Sequence, residues 1–371
     1  MFKLLISCIL ISLIIKPSFS QDKYIQILLS NDAIPIILLG ESRINFAVDI
    51  RTNITTYNKD KTSLSNLKQL YPNNDLFYED SSSQLYLANN TISNIPFTLN
   101  IKLGDRYILA LGYEYLNKDY SIVHQLHMKG YILHNKFAIY MNYNKKEPRY
   151  LYFGGFPRKY TLNRNEIKIP IIPSNVEWAF DIKMISINDN INITLNKKGY
   201  LGIKTSSMIV DKSIYDFLKT HIFKDAFENK ICYEKVWQQK DGANIKCNKG
   251  VPKFAEFYMH VNDNKVKLPF TIKERDDHTQ ELDIAYNKIL DKTDYIWLDK
   301  YFLFQYDVEF NYDDKVVSLY SKTENDVLYT EEINPRTENN INYAVRNIYL
   351  FTSLILLLYC SIFLILIIKQ K

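Results

Sequence analysis

Glycine and cysteine are both scarce in this sequence. Of its 371 residues, 10 are glycine and 4 are cysteine. It contains no Gly-rich phosphate loop and no HExxH, GxSxG or CxxC motif, so it lacks the signatures of nucleotide-binding, zincin, serine-hydrolase and thioredoxin-type sites. His124 and His127 are spaced for one face of a helix, but no acid or cysteine accompanies them in the stretch 121–133. We therefore predict no metal site and no cofactor.

A block of like charge is also missing. The formal net charge is +5, from 46 Lys and Arg against 41 Asp and Glu, and the two signs are interleaved along the chain. Such a distribution predicts a solvated surface of mixed charge, and it argues against a nucleic-acid partner.

Tyrosine and phenylalanine, in contrast, are abundant, with 29 and 20 copies. Together with Ile and Val in short alternating runs bounded by Asn, Asp, Ser, Pro or Gly, they favour strands. Apolar spacing predicts only two short helices, at 121–133 and 213–223, the second with Ser213 as its N-cap. The chain is therefore predicted to be mostly β, and its length suits two domains.

The N-terminus has the pattern of a secretory signal peptide. Residues 1–20 combine an early lysine, an apolar stretch and small residues before Gln21, which predicts cleavage after Ser20. The rest of the chain is then expected to enter the secretory pathway.

The C-terminus has the pattern of a membrane anchor. Residues 348–368 carry no charge, and at about 1.5 Å per residue they would cross a hydrocarbon core about 30 Å thick. Two lysines follow, which predicts that residues 369–371 are cytosolic and that this is a type I single-pass protein with a lumenal or extracellular ectodomain. The polar residues 323–347 are typical of a stalk, and a GPI signal is the alternative to the transmembrane helix.

The two cysteines between these terminal segments are Cys232 and Cys247, 15 positions apart. In an oxidising compartment such a pair predicts one disulfide. N-glycosylation sequons begin at Asn53, Asn89 and Asn192, as expected of a secreted domain.

Four features, in order along the chain, resemble the pepsin-like aspartic proteases (peptidase family A1). The stretch KFAIYMNYNKKEPRYLYFGGFPRKYT at 136–161 is similar to the family's strand, turn and Phe-Gly-Gly strand. Trp178 with FDIKMISIN is similar to the strand that leads into the second half of family members. The segment YFLFQYDVEFNYDDKVVSLY at 301–320 resembles their C-terminal segment and closing strand. The fourth feature is the pair Cys232 and Cys247, which falls where the family has its C-lobe disulfide.

This resemblance implies a two-lobed β fold with few short helices, followed here by the C-terminal transmembrane helix. The N-terminal β lobe would span residues 22–163 and the C-terminal β lobe residues 164–322. In the family each lobe contributes one Asp-Thr-Gly loop. The two carboxylates share a proton and activate a water molecule between them, because two like charges so close cannot both ionise.

The first of these loops lacks its aspartate. When LGESRINFAVDIRTNIT is laid on the family pattern without gaps, its apolar strand positions and Thr52 match. Arg51 then stands where the aspartate is expected, and Asp49 stands two residues early.

The second loop lacks its aspartate as well. GYLGIKTSSMIVDKSIYDFL, residues 199–218, keeps Thr205 and Ser206 of the family pattern. The aspartate position is Gly202, and Asp211 aligns with the proline that precedes the family's helix. The resemblance therefore implies that neither catalytic carboxylate is in its place.

Further cleft positions follow from the same resemblance. In the family a glycine lets a crossing segment approach each Asp loop closely. We place Ala110 at that position in the first lobe and Asp299 in the second. Tyr78 resembles the tyrosine of the flap over the cleft. We expect Arg51 to pair with Asp49 or Asp299 as a replacement for the hydrogen bonds of the lost aspartates.

These observations leave three hypotheses. The first, which the sequence favours, is a non-catalytic pepsin-like ectodomain that binds a peptide or protein in the cleft between its lobes. The second is a weakly active aspartic endopeptidase with an unorthodox carboxylate pair, Asp49 with Asp211 or Asp299. The third is a structural surface or adhesion protein in which the cleft has no role.

Overall fold

The computed structural model describes residues 23–29, 33–37, 44–52, 54–58, 68–69, 77–86, 92–104, 106–113, 121–141, 148–172, 177–188, 190–203, 207–239, 241–248, 257–268, 272–274 and 280–322. The signal peptide and the transmembrane helix lie outside these residues and stay predictions. Within the described ranges, every helix is too short or too polar to cross a membrane. The chain divides into two units, residues 1–321 and 322–371, and the fold below is that of the first.

A seven-stranded sheet forms from the first third of the chain. Its strands are β2 Ala33–Ile37, β3 Ile44–Asp49, β4 Thr55–Asn58, β5 Lys68–Gln69, β6 Phe77–Tyr86, β7 Ile92–Gly104 and β8 Ile108–Ala110. Their order is β2-β3-β8-β4-β7-β6-β5, and β2 also pairs with β6. Alternation specifies β3, because Phe46 and Val48 are buried whereas Asn45 and Ala47 are exposed.

A ten-stranded sheet forms from the second half of the chain. Its strands are β12 Ala179–Ile187, β13 Ile191–Tyr200, β14 Met208–Val210, β15 Cys232–Val236, β16 Gly242–Cys247, β17 Phe257–Val261, β18 Asn264–Lys267, β19 Ile272–Glu274, β20 Gln280–Asn287 and β21 Tyr295–Trp297. Their order is β15-β16-β20-β14-β21-β13-β12-β17-β18, with β19 paired to β20. The predicted disulfide is confirmed: Cys232 and Cys247 are bonded across the β15–β16 pair.

A six-stranded sheet combines strands from both halves of the chain. Its strands are β1 Ile25–Leu28, β9 Lys136–Tyr140, β10 Tyr150–Phe153, β11 Glu166–Pro170, β22 Tyr306–Asn311 and β23 Val316–Ser321. Their order is β1-β10-β9-β22-β23-β11. The last two strands of the chain, β22 and β23, therefore lie between β9 and β11. The segments quoted at 136–161 and 301–320 thus meet in one sheet.

The two faces of the six-stranded sheet differ in composition. Phe137 and Phe310, which stack with ring centres 4.5 Å apart, belong to the main apolar core. Alternate residues point to the other face, because successive strand side chains lie on opposite sides. That face carries a tyrosine-rich cluster of Ala138, Tyr140, Tyr152, Phe156 and Tyr320, with Tyr24, Tyr150 and Tyr160 packed against it.

The described residues form five short α-helices, three more than the apolar spacing predicted. They are α1 Ile122–Met128, α2 Arg158–Thr161, α3 Lys212–His221, α4 Lys224–Glu228 and α5 Asp299–Gln305, with a 3₁₀ helix η1 at Lys288–Lys292. The helix predicted at 121–133 ends at Met128, because Gly130 has φ +72° and the chain leaves the helical conformation there.

The prediction that Ser213 caps α3 is wrong. Asp211 is the N-cap, and its carboxylate accepts the backbone N–H of Ile214 at 3.0 Å. Ser213 lies inside the helix and donates its hydroxyl to the same carboxylate at 2.8 Å. An ionised carboxylate is favoured over a hydroxyl at a helix N-terminus, because it accepts charge-assisted hydrogen bonds from the free N–H groups.

Candidate functional site

The first candidate loop leaves strand β3, which runs parallel to β8. Asp49 lies opposite Ala110 in this pair, and the backbone N–H of Leu111 donates to the carbonyl of Asp49 at 2.9 Å. The loop tip follows two residues later, at Arg51.

The second loop leaves β13 in the same way, with β21 running parallel beside it. Tyr200 lies opposite Trp297, and the N–H of Leu298 donates to the carbonyl of Tyr200 at 2.9 Å. The loop tip, two residues on, is the buried Gly202. The two sheets therefore present Arg51 and Gly202 at equivalent positions. That these are the two aspartate positions of the family stays a prediction.

The same equivalence bears on the two predicted crossing residues, Ala110 and Asp299. Ala110 faces Asp49 just as Trp297 faces Tyr200. Ala110 and Asp299 are therefore not equivalent, because the counterpart of Ala110 is Trp297 and the counterpart of Asp299 is Gly112, two residues after Ala110. Which of these pairs holds the crossing position of the family stays a prediction. The N–H of Gly112 donates to the carbonyl of Thr52 at 2.7 Å.

Arg51 contacts strand β21, which runs beside the second loop. Its guanidinium carbon lies 5.6 Å from the centre of the Trp297 ring, within the range of a cation–π contact. Its backbone N–H donates to the Asp49 carboxylate at 2.9 Å. Asp49 thus closes a turn around the loop tip, in the manner of an Asx turn. The alternative pairing with Asp299 stays a prediction, because the Asp299 side chain lies outside the described part.

Asp211, the other alternative carboxylate, is tied into the framework. It is buried, and beyond capping α3 it forms an ion pair with Lys197 at 2.6 Å. Burial acts to raise the pKa of Asp211, but the N–H of Ile214 and the contacts with Lys197 and Ser213 outweigh it and hold that pKa below its usual range. The carboxylate is ionised and fully engaged in holding helix α3 to strand β13.

Replacing Asp211 by asparagine should remove a pH-dependent part of the stability. Because its folded-state pKa is lowered, the carboxylate stabilises the folded protein above its unfolded pKa of about 3.9. That contribution is lost as the pH falls through the folded value. We expect Asp211→Asn to lower the free energy of unfolding by about 1–3 kcal/mol at pH 7 and by progressively less below about pH 4. Urea denaturation at several pH values measures the difference.

Asp216→Asn is the matched control for this prediction. Asp216 lies on the same helix and pairs with Lys212, but both side chains are about half exposed. An exposed pair of this kind contributes about 0.3–0.5 kcal/mol. Equal losses in the two variants, or an Asp211→Asn loss that does not change with pH, would contradict the assignment.

The side chain of Trp178 supports the segment that follows strand β8, at Leu111. Trp178 is fully buried, and its indole N–H donates to the carbonyl of Leu111 at 2.9 Å. Tyr312 donates its hydroxyl toward the carbonyls of Leu111 and Gly112 at 3.3 and 3.2 Å. The sequence marked Trp178 only as a strand start, and its role in supporting the loop was missed because it depends on a contact 67 positions away.

The structure describes only some of the remaining predicted site residues. Tyr78 lies in the long strand β6, opposite Ile101 of β7, but its side chain is outside the described part. Thr52 is half-buried beside the first loop tip. Thr205, Ser206, Asn53 and Asn89 are not among the described residues. Of the three sequons, Asn192 has an exposed side chain in β13.

The two histidines of helix α1 gain no ligand partners. His124 and His127 are both half-buried on that helix. Among the described residues, no group of three or more His, Cys, Asp and Glu could hold a metal ion. The expectation of a protein without a metal or cofactor stays a prediction.

Comparison with known proteins identifies the family. Residues 81–322 match the family model described as eukaryotic aspartyl protease. Among solved structures, the crystal structure of aspartic proteinase from Irpex lacteus is similar in fold, with a TM-score of 0.59 over 81% of this chain and 98% of that one at 12% identity. A search of curated proteins found no match. The mostly β, pepsin-like fold is therefore confirmed, and this chain belongs to the eukaryotic aspartyl protease family.

Proposed function

We propose that this protein is a non-catalytic member of its family, tethered to a membrane, whose inter-lobe cleft binds a peptide or protein partner. The observation that carries the proposal is the equivalence of Arg51 and Gly202 at the two loop tips. Pepsin-like catalysis needs a carboxyl group at both positions, one ionised and one protonated. An arginine stays charged and accepts no proton, and a glycine has no side chain.

The nearby carboxylates support the same proposal. Asp49 is buried and accepts the backbone N–H of Arg51, while Asp211 caps a helix and pairs with Lys197. Each has a structural partner that a catalytic carboxylate would have to give up. The second hypothesis, a weak endopeptidase with an unorthodox pair, would require both to leave these partners.

The charge of the cleft favours one class of partner. Active family members have a negative centre, whereas this loop tip carries the permanent cation of Arg51 beside the aromatic ring of Trp297. A cation next to an aromatic face attracts carboxylates and apolar groups together. We therefore expect acidic peptides to bind better than basic ones.

Anchoring and compartment complete the proposal. The disulfide between Cys232 and Cys247 is the kind of bond that persists in an oxidising compartment. With the signal peptide at 1–20 and the apolar segment at 348–368, this supports a type I membrane protein whose ectodomain is lumenal or extracellular and is followed by the stalk 323–347.

The lack of catalysis can be tested with full-length protein in uncharged detergent. We expect no cleavage of a quenched-fluorescence peptide library between pH 3 and 7. Cleavage that is blocked by pepstatin and lost in Asp49→Asn would establish the endopeptidase hypothesis instead. Asp49→Asn should fold, since asparagine can accept the same backbone N–H.

Binding is tested with the same protein against displayed peptides. Arg51→Ala should weaken the binding of selected acidic peptides by about tenfold or more, as expected when a charged hydrogen-bonding partner is lost. The matched control is Arg149→Ala, whose guanidinium lies 5.8 Å over the ring of Phe304 on helix α5. If no peptide is selected, or if both variants bind equally well, the cleft has no recognition role and the structural surface hypothesis gains.

A further inference from the structure

The six-stranded and ten-stranded sheets each have two outer strands, β1 and β11 in the first and β15 and β18 in the second. An outer strand presents backbone N–H and C=O groups that could pair with another chain, and natural proteins block such edges with proline, lysine or covering contacts. Strand β11 contains Pro170, and the carbonyl of its Lys168 accepts the side-chain amide of Asn264 at 3.0 Å. In strand β18 every second residue is a lysine, and the carbonyl of Lys267 accepts the Tyr306 hydroxyl at 2.6 Å. Both of these edges are blocked.

The sequence of strand β1 has no blocking residue. Residues 24–29, YIQILL, contain no charge, no proline and no glycine, whereas the outer strand β15 carries Glu234 and Lys235. Uncharged apolar segments of about six residues that favour strands pair readily with copies of themselves. Among these four outer strands, β1 is therefore the one whose sequence suits it to accept a further strand.

The unpaired backbone groups of β1 belong to Gln26 and Leu28. The N–H of Leu29, at the end of the strand, donates to the carbonyl of Arg149 at 2.8 Å. Hydrogen bonding alternates along an antiparallel pair, so Ile27 also bonds to β10, while the N–H and C=O groups of Gln26 and Leu28 point away from β10. Within the described part of the chain these groups form no hydrogen bond.

The exposed side chain at this edge is apolar. Leu28 is 44% exposed, and it lies opposite Tyr150 of β10, a residue that packs against the tyrosine-rich cluster. A further strand beside β1 would cover Leu28 and would at the same time bond the backbone groups of Gln26 and Leu28.

We propose that β1 pairs with β1 of a second copy of this chain, antiparallel, about a two-fold axis at Ile27. In this register Gln26 of each copy lies opposite Leu28 of the other copy. The N–H and C=O groups of these two residues then bond to each other, because they form the hydrogen-bonded pairs of an antiparallel ladder. No edge group of Gln26 or Leu28 is left unpaired, and the two six-stranded sheets become one continuous sheet.

The charge pattern favours a second copy over other extended segments. A two-fold axis places each strand opposite an identical one, so charged residues near the axis would meet their own charge, and like charges opposite each other are destabilising. The stretch 24–29 has no charge with which to repel its copy. A peptide with a charged strand would find no ionic partner on β1.

The contact is small, so the dimer should be weak. Strand β1 has four residues, whereas stable complexes bury roughly 1,200 Å² or more. We therefore expect a dimer that forms at about 10 μM and above. The pairing uses no residue of the cleft, and failure of the cleft to bind a peptide would leave it unaffected.

The experiment measures amide hydrogen exchange at single residues of the full-length protein in uncharged detergent, at about 1 and 500 μM, with native mass spectrometry to count the copies. In the monomer the amides of Gln26 and Leu28 should exchange rapidly, whereas that of Ile27, which bonds to β10, should be protected. In the dimer we expect exchange at Gln26 and Leu28 to slow by about tenfold or more. Rapid exchange there in an associated protein means that another surface pairs the copies, and slow exchange in the monomer means that another segment of the chain covers the edge. Either result overturns the proposal, as does a protein that stays monomeric at the higher concentration.

Leu28→Lys tests the same pairing by mutation. It brings a lysine from each copy to the interface and should weaken the dimer by about tenfold or more. The matched control is Val236→Lys, which makes the same kind of change at a 57% exposed position of the outer strand β15 and should dimerise as the wild type does. Urea denaturation checks that both variants keep the stability of the wild type. If Leu28→Lys dimerises as well as the wild type, or if the two variants lose the dimer equally, β1 is not the interface.

Discussion

Trp178→Ala should lower the free energy of unfolding by about 3–5 kcal/mol, the range measured when a large buried aromatic side chain is removed. Trp178 is fully buried and makes edge-on contacts with four other rings, those of Tyr113, Phe137, Phe310 and Tyr312. These rings come from the crossing segment of the first lobe and from the six-stranded sheet. Loss of the Trp178 indole would leave a cavity between these rings, at the point where the indole supports Leu111.

Trp178→Phe separates packing from hydrogen bonding. Phenylalanine keeps most of the aromatic contact but cannot donate to the carbonyl of Leu111, which loses its 2.9 Å bond from the indole. We expect a smaller loss of about 1–3 kcal/mol, together with faster amide exchange in residues 106–113. Far-UV circular dichroism in urea measures the first effect and hydrogen–deuterium exchange the second.

Trp237 supplies the control for this pair of variants. It is only half-buried, and its indole donates to the side chain of Asn244 within the β15–β16 region. Trp237→Phe should cost less than Trp178→Phe and should leave exchange in 106–113 unchanged. If the two variants were equally destabilised, Trp178 would have no special role in supporting the first loop.

The evidence for the two loop tips is local to the sequence around them. Apolar alternation in INFAVD sets the phase of β3, and a fixed phase leaves one position for the loop tip, at Arg51. The disulfide was predictable for a similar reason, since only two cysteines remain once the terminal segments are set aside. In both cases few alternatives compete, so composition and spacing decide.

Features that depend on contacts between distant segments could not be predicted in the same way. The sequence placed Ala110 and Asp299 at corresponding positions, and only the pairings of β3 with β8 and of β13 with β21 show that these two residues are not equivalent. Ser213 and Asp211 could both have capped α3, and Asp211 is held at this position also by its ion pair with Lys197, 14 positions away on β13. The spacing of residues along the chain does not predict which distant residues become such partners.

Strand β22 is a further feature that depends on contacts between distant segments. In YDVEFN the acids alternate with apolar residues, a pattern typical of a strand with one solvated face, yet Asp307 and Glu309 are both buried. The partners that make this possible, Arg164 and Lys136, come from segments 143 and 173 positions away. The buried carboxylates therefore depend on the six-stranded sheet being assembled.

Asp307→Ala is accordingly expected to be as damaging as the loss of Trp178. Asp307 is completely buried, and one of its oxygens accepts from Arg164 at 2.7 Å and from the Tyr160 hydroxyl at 2.5 Å. The Arg164 guanidinium also lies 3.8 Å over the Tyr160 ring. Burial, and then the Asp307 charge, raise the pKa of Tyr160 well above its usual value, so the phenol stays protonated and keeps donating. Removing the carboxylate takes away the ion-pair partner of the largely buried Arg164. Such a loss costs about 3–5 kcal/mol.

The control for Asp307→Ala is Asp294→Ala, at an ion pair with Lys198 in which both side chains are more than a third exposed; its effect should be close to zero. A double variant tests the cause. If the loss in Asp307→Ala comes from the uncompensated Arg164 charge, then Asp307→Leu/Arg164→Met should recover most of it, because a buried ion pair replaced by apolar residues of similar volume is often neutral. If instead the double variant is less stable than Asp307→Ala, the carboxylate acts mainly through Tyr160 and the packing of the tyrosine-rich face. Urea denaturation of the three variants decides between the two, since only the first explanation predicts that a second substitution restores stability.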